Sequence, residues 1–143
     1  QEFESIVAQN AHVADTRLMK EAIPFATQLR QDMIQLLSDY PTEEVVKSLI
    51  ASLSDEKQTI RAASALSIAN LALNDKLHEQ VINAFGGLMM ILETGEHESK
   101  QYAIRALSNL GNKGAMGRIA EFVVDTKEAV EIRNEALLAL SNL

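Results

Sequence analysis

The phrase ALSNL occurs at residues 106–110 and again at 139–143, 33 residues apart. Recurrence at a fixed distance of that size confines a chain to stacked copies of one supersecondary unit, because such a unit cannot bury its apolar face alone. IRAASALSIANL at 60–71 aligns without gaps on IRNEALLALSNL at 132–143, sharing Ile-Arg at the start and Asn-Leu at the end, and LSDY at 37–40 is a degenerate fourth ending. Units therefore end near residues 40, 71, 110 and 143, at spacings of 31, 39 and 33.

A second apolar stripe precedes each repeated phrase. Val45, Val46, Leu49, Ile50 and Leu53 recur at helical spacing before Ser54-Asp55, as do Leu88, Ile91 and Leu92 before Thr94-Gly95, and Ile119, Phe122 and Val123 before Asp125-Thr126. Each unit reads as an αα-hairpin. Ser54, Asp55 and Thr126 are expected to cap the following helix, Gly95 and Gly111 to serve as helix exits, and Gly86-Gly87 to form a turn between helices.

Stacked hairpins make a single all-α domain, a right-handed α-solenoid with a degenerate N-terminal capping unit at 1–41 and units at 42–74, 75–111 and 112–143. The capping unit is expected to hold a helix over 2–13, a short helix near 16–22, and a third from Pro24 in its first turn to about Ser38. Ending on Leu143, an apolar repeat position, suits a truncated array or an open end that stacks on another copy. A first residue Gln1 in place of Met suits a processed or excised chain.

With no cysteine, no tryptophan and 47% apolar residues, the core must be aliphatic, and a disulfide framework or thiolate metal site is excluded. The net charge of -7 argues against nucleic acid as partner, since phosphate binding needs clustered Lys and Arg. No apolar run approaches the roughly 18 residues of a membrane span, and QEFESIVAQN at the start has neither a basic nor an apolar leader region. A soluble chain with a protein partner is expected; the compartment stays open, with the cytoplasm favoured.

VINAFGGLMMIL at 81–92, then Gly95, then YAIRALSNL at 102–110, resembles one armadillo unit, including its glycine pair. The flanking units are more similar to HEAT repeats, with Asp55 and Arg61 resembling the Asp/Arg pair of laddered HEAT arrays. The resemblance covers residues 42–143, and ankyrin and tetratricopeptide signatures are absent. It implies a scaffold that binds another protein or peptide in a concave groove lined by the last helix of each unit.

On the best-defined such helix Ala103, Ala106, Leu107 and Leu110 form the buried stripe, which leaves Gln101, Arg105, Ser108 and Asn109 for the groove. The same register gives Ala62, Leu66, Ala69 and Asn70 in one neighbour, Asn134, Leu138, Ser141 and Asn142 in the other, and Gln35 with Asp39 in the first unit. Asn70, Asn109 and Asn142 occupy the places of the asparagine ladder that armadillo proteins use to hold an extended main chain; the bland reading is an amide at a helix end. Where nuclear-import armadillo receptors place lysine-pocket tryptophans, this chain has Leu66, Arg105 and Leu138. The expected ligand is a segment with apolar anchors and one acidic side chain for Arg105, whose alternative reading is a surface ion pair without function, and Asn109→Ala is expected to weaken ligand binding without destabilising the fold.

No enzyme chemistry, metal or cofactor is expected. The histidines, His12, His78 and His97, fall in three different units, and the dipeptides His78-Glu79 and His97-Glu98 stand outside the inner helices where a HEAT-type iron hydroxylase carries its ligands. The acidic groups Glu43-Glu44, Glu96/Glu98 and Glu128/Glu131/Glu135 read as helix-dipole complements and solvated faces.

Overall fold

Aliphatic residues three and four apart make a helix stable only when their stripe is covered, and in the computed structural model each stripe is helical and paired. The structure describes residues 16–143, with side chains from residue 25 onward. The described residues are all-helical and contain no strand. The helices are α1 (Thr16–Leu37), α2 (Glu43–Ser52), α3 (Gln58–Leu71), the single turn α4 (His78–Val81), α5 (Phe85–Thr94), α6 (His97–Leu110), α7 (Met116–Val124) and α8 (Val130–Asn142).

The long helices pack in chain order, α1 on α3, α3 on α6 and α6 on α8, while α2, α5 and α7 each pack on the long helix that follows. One apolar cluster runs without a break from Ile34 to Ala139. Its centre is Ile60, Ile68, Leu88, Leu92, Ile104, Leu107, Ile119 and Ile132, all fully buried. Alanines carry the closest approaches: Ala65 and Ala69 on α3, Ala103 and Ala106 on α6, and Ala136 on α8 are buried without exposing any surface worth noting, so helix axes come near one another with no side chain to part them. No helix among the described residues is long and apolar enough to cross a membrane.

Several local expectations are corrected. The helix expected over 2–13 lies outside the described residues. Residues 16–22 and the segment from Pro24 form one helix, α1, with Pro24 inside it and not in a first turn. A proline withdraws a single backbone donor, and the burial of Ala26 and Ile34 beyond it offsets that local cost. Gly86 and Gly87 are the second and third residues of α5; the connection is made by a 3-10 turn, Ile82–Ala84. Gly87 serves packing, since a Cβ there would stand 3.0 Å from Leu53 Cδ1.

Asp55 and Thr126 do not cap helices. Lys57 precedes α3 and Ala129 precedes α8, neither with a side-chain cap. Asp55 and Asp125 instead accept the N–H groups of Lys57 and Lys127, each at 2.9 Å, closing the turn before the helix. Asn74 and Asn112 do the same with Lys76 and Gly114 at the other type of junction. Thr42 does cap its helix, its Oγ1 accepting the Val45 N–H at 3.3 Å. The expected exits are observed: Gly111 ends α6 in the left-handed region (φ 68°), where a side chain is strained, and Gly95 ends α5 extended.

Polar ties join segments that are distant in sequence. Arg30 pairs with Asp55, Lys100 Nζ meets Glu128 Oε2 at 3.3 Å, and Arg118 Nε meets Glu93 Oε1 at 2.7 Å while its guanidinium lies 4.5 Å from the Phe122 ring centre. Arg61 does not meet the Asp55 carboxylate; it donates to the backbone oxygens of Asp55 (2.8 Å) and Glu56 (3.1 Å). Burial pushes the Asp55 carboxyl up, but the Lys57 N–H, the Arg30 guanidinium and the charge of Arg61 outweigh burial and hold it below the ordinary aspartate value. A carboxyl depressed in the folded state contributes stability that is complete above its unfolded pKa and is lost as pH falls through the folded one. The melting temperature is therefore expected to fall on acidification, and Asp55→Asn to remove part of that slope while costing about 1 kcal/mol at neutral pH. Thermal melts of both proteins from pH 7 downward check this; parallel curves would show that Asp55 does not contribute to the acid sensitivity.

Candidate partner-binding face

The side of α6 that packs inward is the expected one, with Ala103, Ala106, Leu107 and Leu110 all buried. Opposite it, Gln101, Arg105 and Asn109 are half-buried. Leu66 on α3 is likewise half-buried, and Asn70 is exposed. On α8, Asn134, Leu138, Ser141 and Asn142 are exposed, as are Gln35 on α1 and Asp39 just beyond it. These positions on the four long helices and just beyond α1 thus keep surface accessible, in full or in part. Two residues assigned to the groove by register are closed off, Ala69, which is buried, and Ser108, 7% exposed with its Oγ 3.5 Å from the Ala139 carbonyl oxygen, while the buried Ala62 reaches the surface only in the pocket between α1, α3 and α6.

The three asparagines differ in what they do. Asn109 Nδ2 donates to the Ala69 carbonyl oxygen at 2.8 Å, tying α6 to the last turn of α3, where backbone oxygens lack helical partners. Asn70 and Asn142 stand exposed at helix ends. Asn109 is therefore a structural tie, with its Oδ1 and the second N–H of Nδ2 not used by it. Asn109→Ala is expected to cost about 1 kcal/mol of stability, measurable by urea denaturation; an unchanged midpoint would show that the tie adds nothing.

Arg105 is not a free cation. Its Nε and Nη2 reach Glu135 Oε1 at 2.9 and 2.5 Å, and its guanidinium lies 5.7 Å from the Tyr102 ring centre. The acidic ligand side chain expected opposite Arg105 would have to displace Glu135, a side chain of the same charge that is only 12% exposed. Glu128, in the turn before α8, and Glu135 on α8 are not simply solvated but pair with Lys100 and Arg105 of α6.

A pocket that the register did not foretell opens between α1, α3 and α6, about 210 Å³ in volume. Its floor and one wall are Ala62, Ala63 and Leu66. Its polar lining is Gln31 and Gln35 from α1, Thr59 from α3, and Glu98 and Tyr102 from α6. The Tyr102 hydroxyl donates to Glu98 Oε1 at 3.1 Å. Burial pushes the Tyr102 phenol up, the Glu98 carboxylate adds to that, and Arg105 opposes it, so the phenol keeps its proton at neutral pH. The Tyr102 and Glu98 spacing of four residues is visible in the sequence; the helices that complete the pocket are not.

A second groove, about 350 Å³, lies between α1 and α2, with Met33, Ile34, Leu37, Val45 and Leu49 along it. His78 and His97 are exposed at the starts of α4 and α6, and His12 lies outside the described residues. Among the described residues no three His, Asp or Glu side chains gather in a way that would hold a metal ion. Compared with known proteins, the chain matches no family model and no curated protein.

Proposed function

We propose that the chain is a right-handed α-solenoid of armadillo/HEAT-like hairpins that holds an extended segment of another protein along the open side of α1, α3, α6 and α8. The packing order supports the solenoid: each long helix touches the next long helix and the short helix before it, the pattern of an array in which a unit contacts only its neighbours. The junctions support it too, with Asp55 and Asp125 closing turns inside units and Asn74 and Asn112 closing turns between them. In this reading the chain is a binding module and not an enzyme.

The observation that carries the binding role is the open side itself, where Leu66 and Leu138 (60% exposed) offer apolar anchors among Gln35, Asn70, Gln101 and Asn134. Polar groups that can pair with an extended main chain, spaced between apolar contacts, are what strand-like peptide recognition requires. Selection of peptides from a random display library supplies a ligand, and Leu138→Asp is expected to weaken it at least about tenfold while leaving the melting temperature in place. Binding that ignores Leu138→Asp and is lost on substitution of Met90, exposed on α5, would move the binding surface to the other side.

A second reading, self-association through the end of α8, has one specific observation in its favour. Leu137 lies 33 residues after Ile104, which is fully buried, yet Leu137 is 58% exposed, with Val130 (63%) on the same strip. A concentration-dependent dimer in sedimentation that Leu137→Asp abolishes would favour this reading over the groove.

A further inference from the structure

We propose that the pocket between α1, α3 and α6 receives an arginine side chain of the bound segment, with Glu98 taking its charge. This deepens the groove reading and rests on it. It reverses the ligand charge expected from Arg105, and the reason is the pairing on the page: Arg105 is occupied by Glu135, whereas Glu98 spends one oxygen on the neutral Tyr102 hydroxyl and its other, Oε2, has no partner among the described residues.

The lining holds one charge, the Glu98 carboxylate, beside Gln31, Gln35 and Thr59, whose amide and hydroxyl groups can each accept as well as donate, and no Lys or Arg stands among the described residues that line it. A guanidinium brings five N–H donors in a fixed plane and no acceptor, so it satisfies several such groups at once where an ammonium would meet fewer. The methylene stem needs an apolar wall, which Leu66, Ala62 and Ala63 provide. Size decides between a side chain and a free small molecule: about 210 Å³ falls below the roughly 300 Å³ at which small-molecule sites begin. The chain's net charge of -7 favours approach of a basic segment over an acidic one.

The test compares two acetylated and amidated pentapeptides, Ala-Ala-Arg-Ala-Ala and the same sequence with citrulline, which keeps the shape of arginine and loses its charge. Each is titrated at low salt into the isotope-labelled protein, and amide shifts are followed. The arginine peptide is expected to shift the amides of Thr59, Leu66, Glu98 and Tyr102 saturably, and to bind at least about tenfold more tightly than its twin. Glu98→Gln, which still accepts the Tyr102 proton and so keeps the local fold, is expected to erase the difference. Equal binding of the two peptides, or arginine-dependent shifts that survive Glu98→Gln, would overturn the arginine pocket. Neither result touches the groove reading, which stands or falls on the library-selected peptide and Leu138→Asp.

Discussion

Ile104→Ala is expected to lower the stability of the fold by about 3–4 kcal/mol. Ile104 is fully buried on α6, the helix that packs on α3, α5 and α8 at once. Removing a side chain there leaves a cavity bounded by several rigid helices, and such a cavity collapses poorly, so the cost lies above that of the transferred methylenes alone. Because α6 joins the first and last parts of the row, the effect should appear as a shift of the whole cooperative transition. Urea denaturation followed by circular dichroism checks this. A loss under about 1 kcal/mol would mean that the α6 contacts are much looser than the packing described.

Gly95→Ala is expected to cost about 2–3 kcal/mol, for a different reason. Gly95 is extended, a conformation open to any residue, so no backbone strain is involved. The obstacle is steric: a Cβ would press into the Ile91 carbonyl oxygen and stand 2.8 Å from Ile91 Cγ2. That same oxygen accepts the Gly95 N–H at 2.7 Å, so the backbone cannot withdraw without breaking the bond that ends α5. Gly86→Ala is the control, because a Cβ there meets nothing within 4 Å and alanine is the better helix former. A destabilised Gly86→Ala, or a silent Gly95→Ala, would contradict this account of the α5 exit.

Features that depend on one helix alone were legible in the sequence. The stripe Ala103, Ala106, Leu107 and Leu110 is buried because helical period and apolar identity suffice to place it. Gly111 ends α6 because only glycine takes the left-handed exit without strain. Features that depend on the residue opposite were not. Nothing in the order of residues shows that Asn109 reaches the Ala69 oxygen 40 positions earlier, or that Arg105 and Glu135, 30 apart, are partners. Those pairings follow from how far one helix slides along the next. Pro24 and the Gly86-Gly87 pair misled because local breaker signals were given priority over packing, whereas in the structure burial of Ala26 and Ile34, and the approach of Gly87 to Leu53, decide.

The candidate site shows the same division. Register alone expects Leu66, Leu138 and Gln35 to keep accessible surface, and Leu138 and Gln35 are exposed while Leu66 is half-buried. The charge of that side was not legible, because the sequence leaves Arg105 open between a groove cation and a surface ion pair; the pair with Glu135 occupies it and leaves Glu98 as the exposed charge beside the pocket.

The most direct measurement of the central claim is an amide-shift map of the isotope-labelled protein with the library-selected peptide bound. A segment held along the open side of the row is expected to perturb residues on α3, α6 and α8 together, including Leu66, Gln101 and Leu138, and to leave the exposed positions of α2, α5 and α7 unchanged. Shifts confined to those short helices, or to Val130 and Leu137 on the exposed strip of α8, would contradict it.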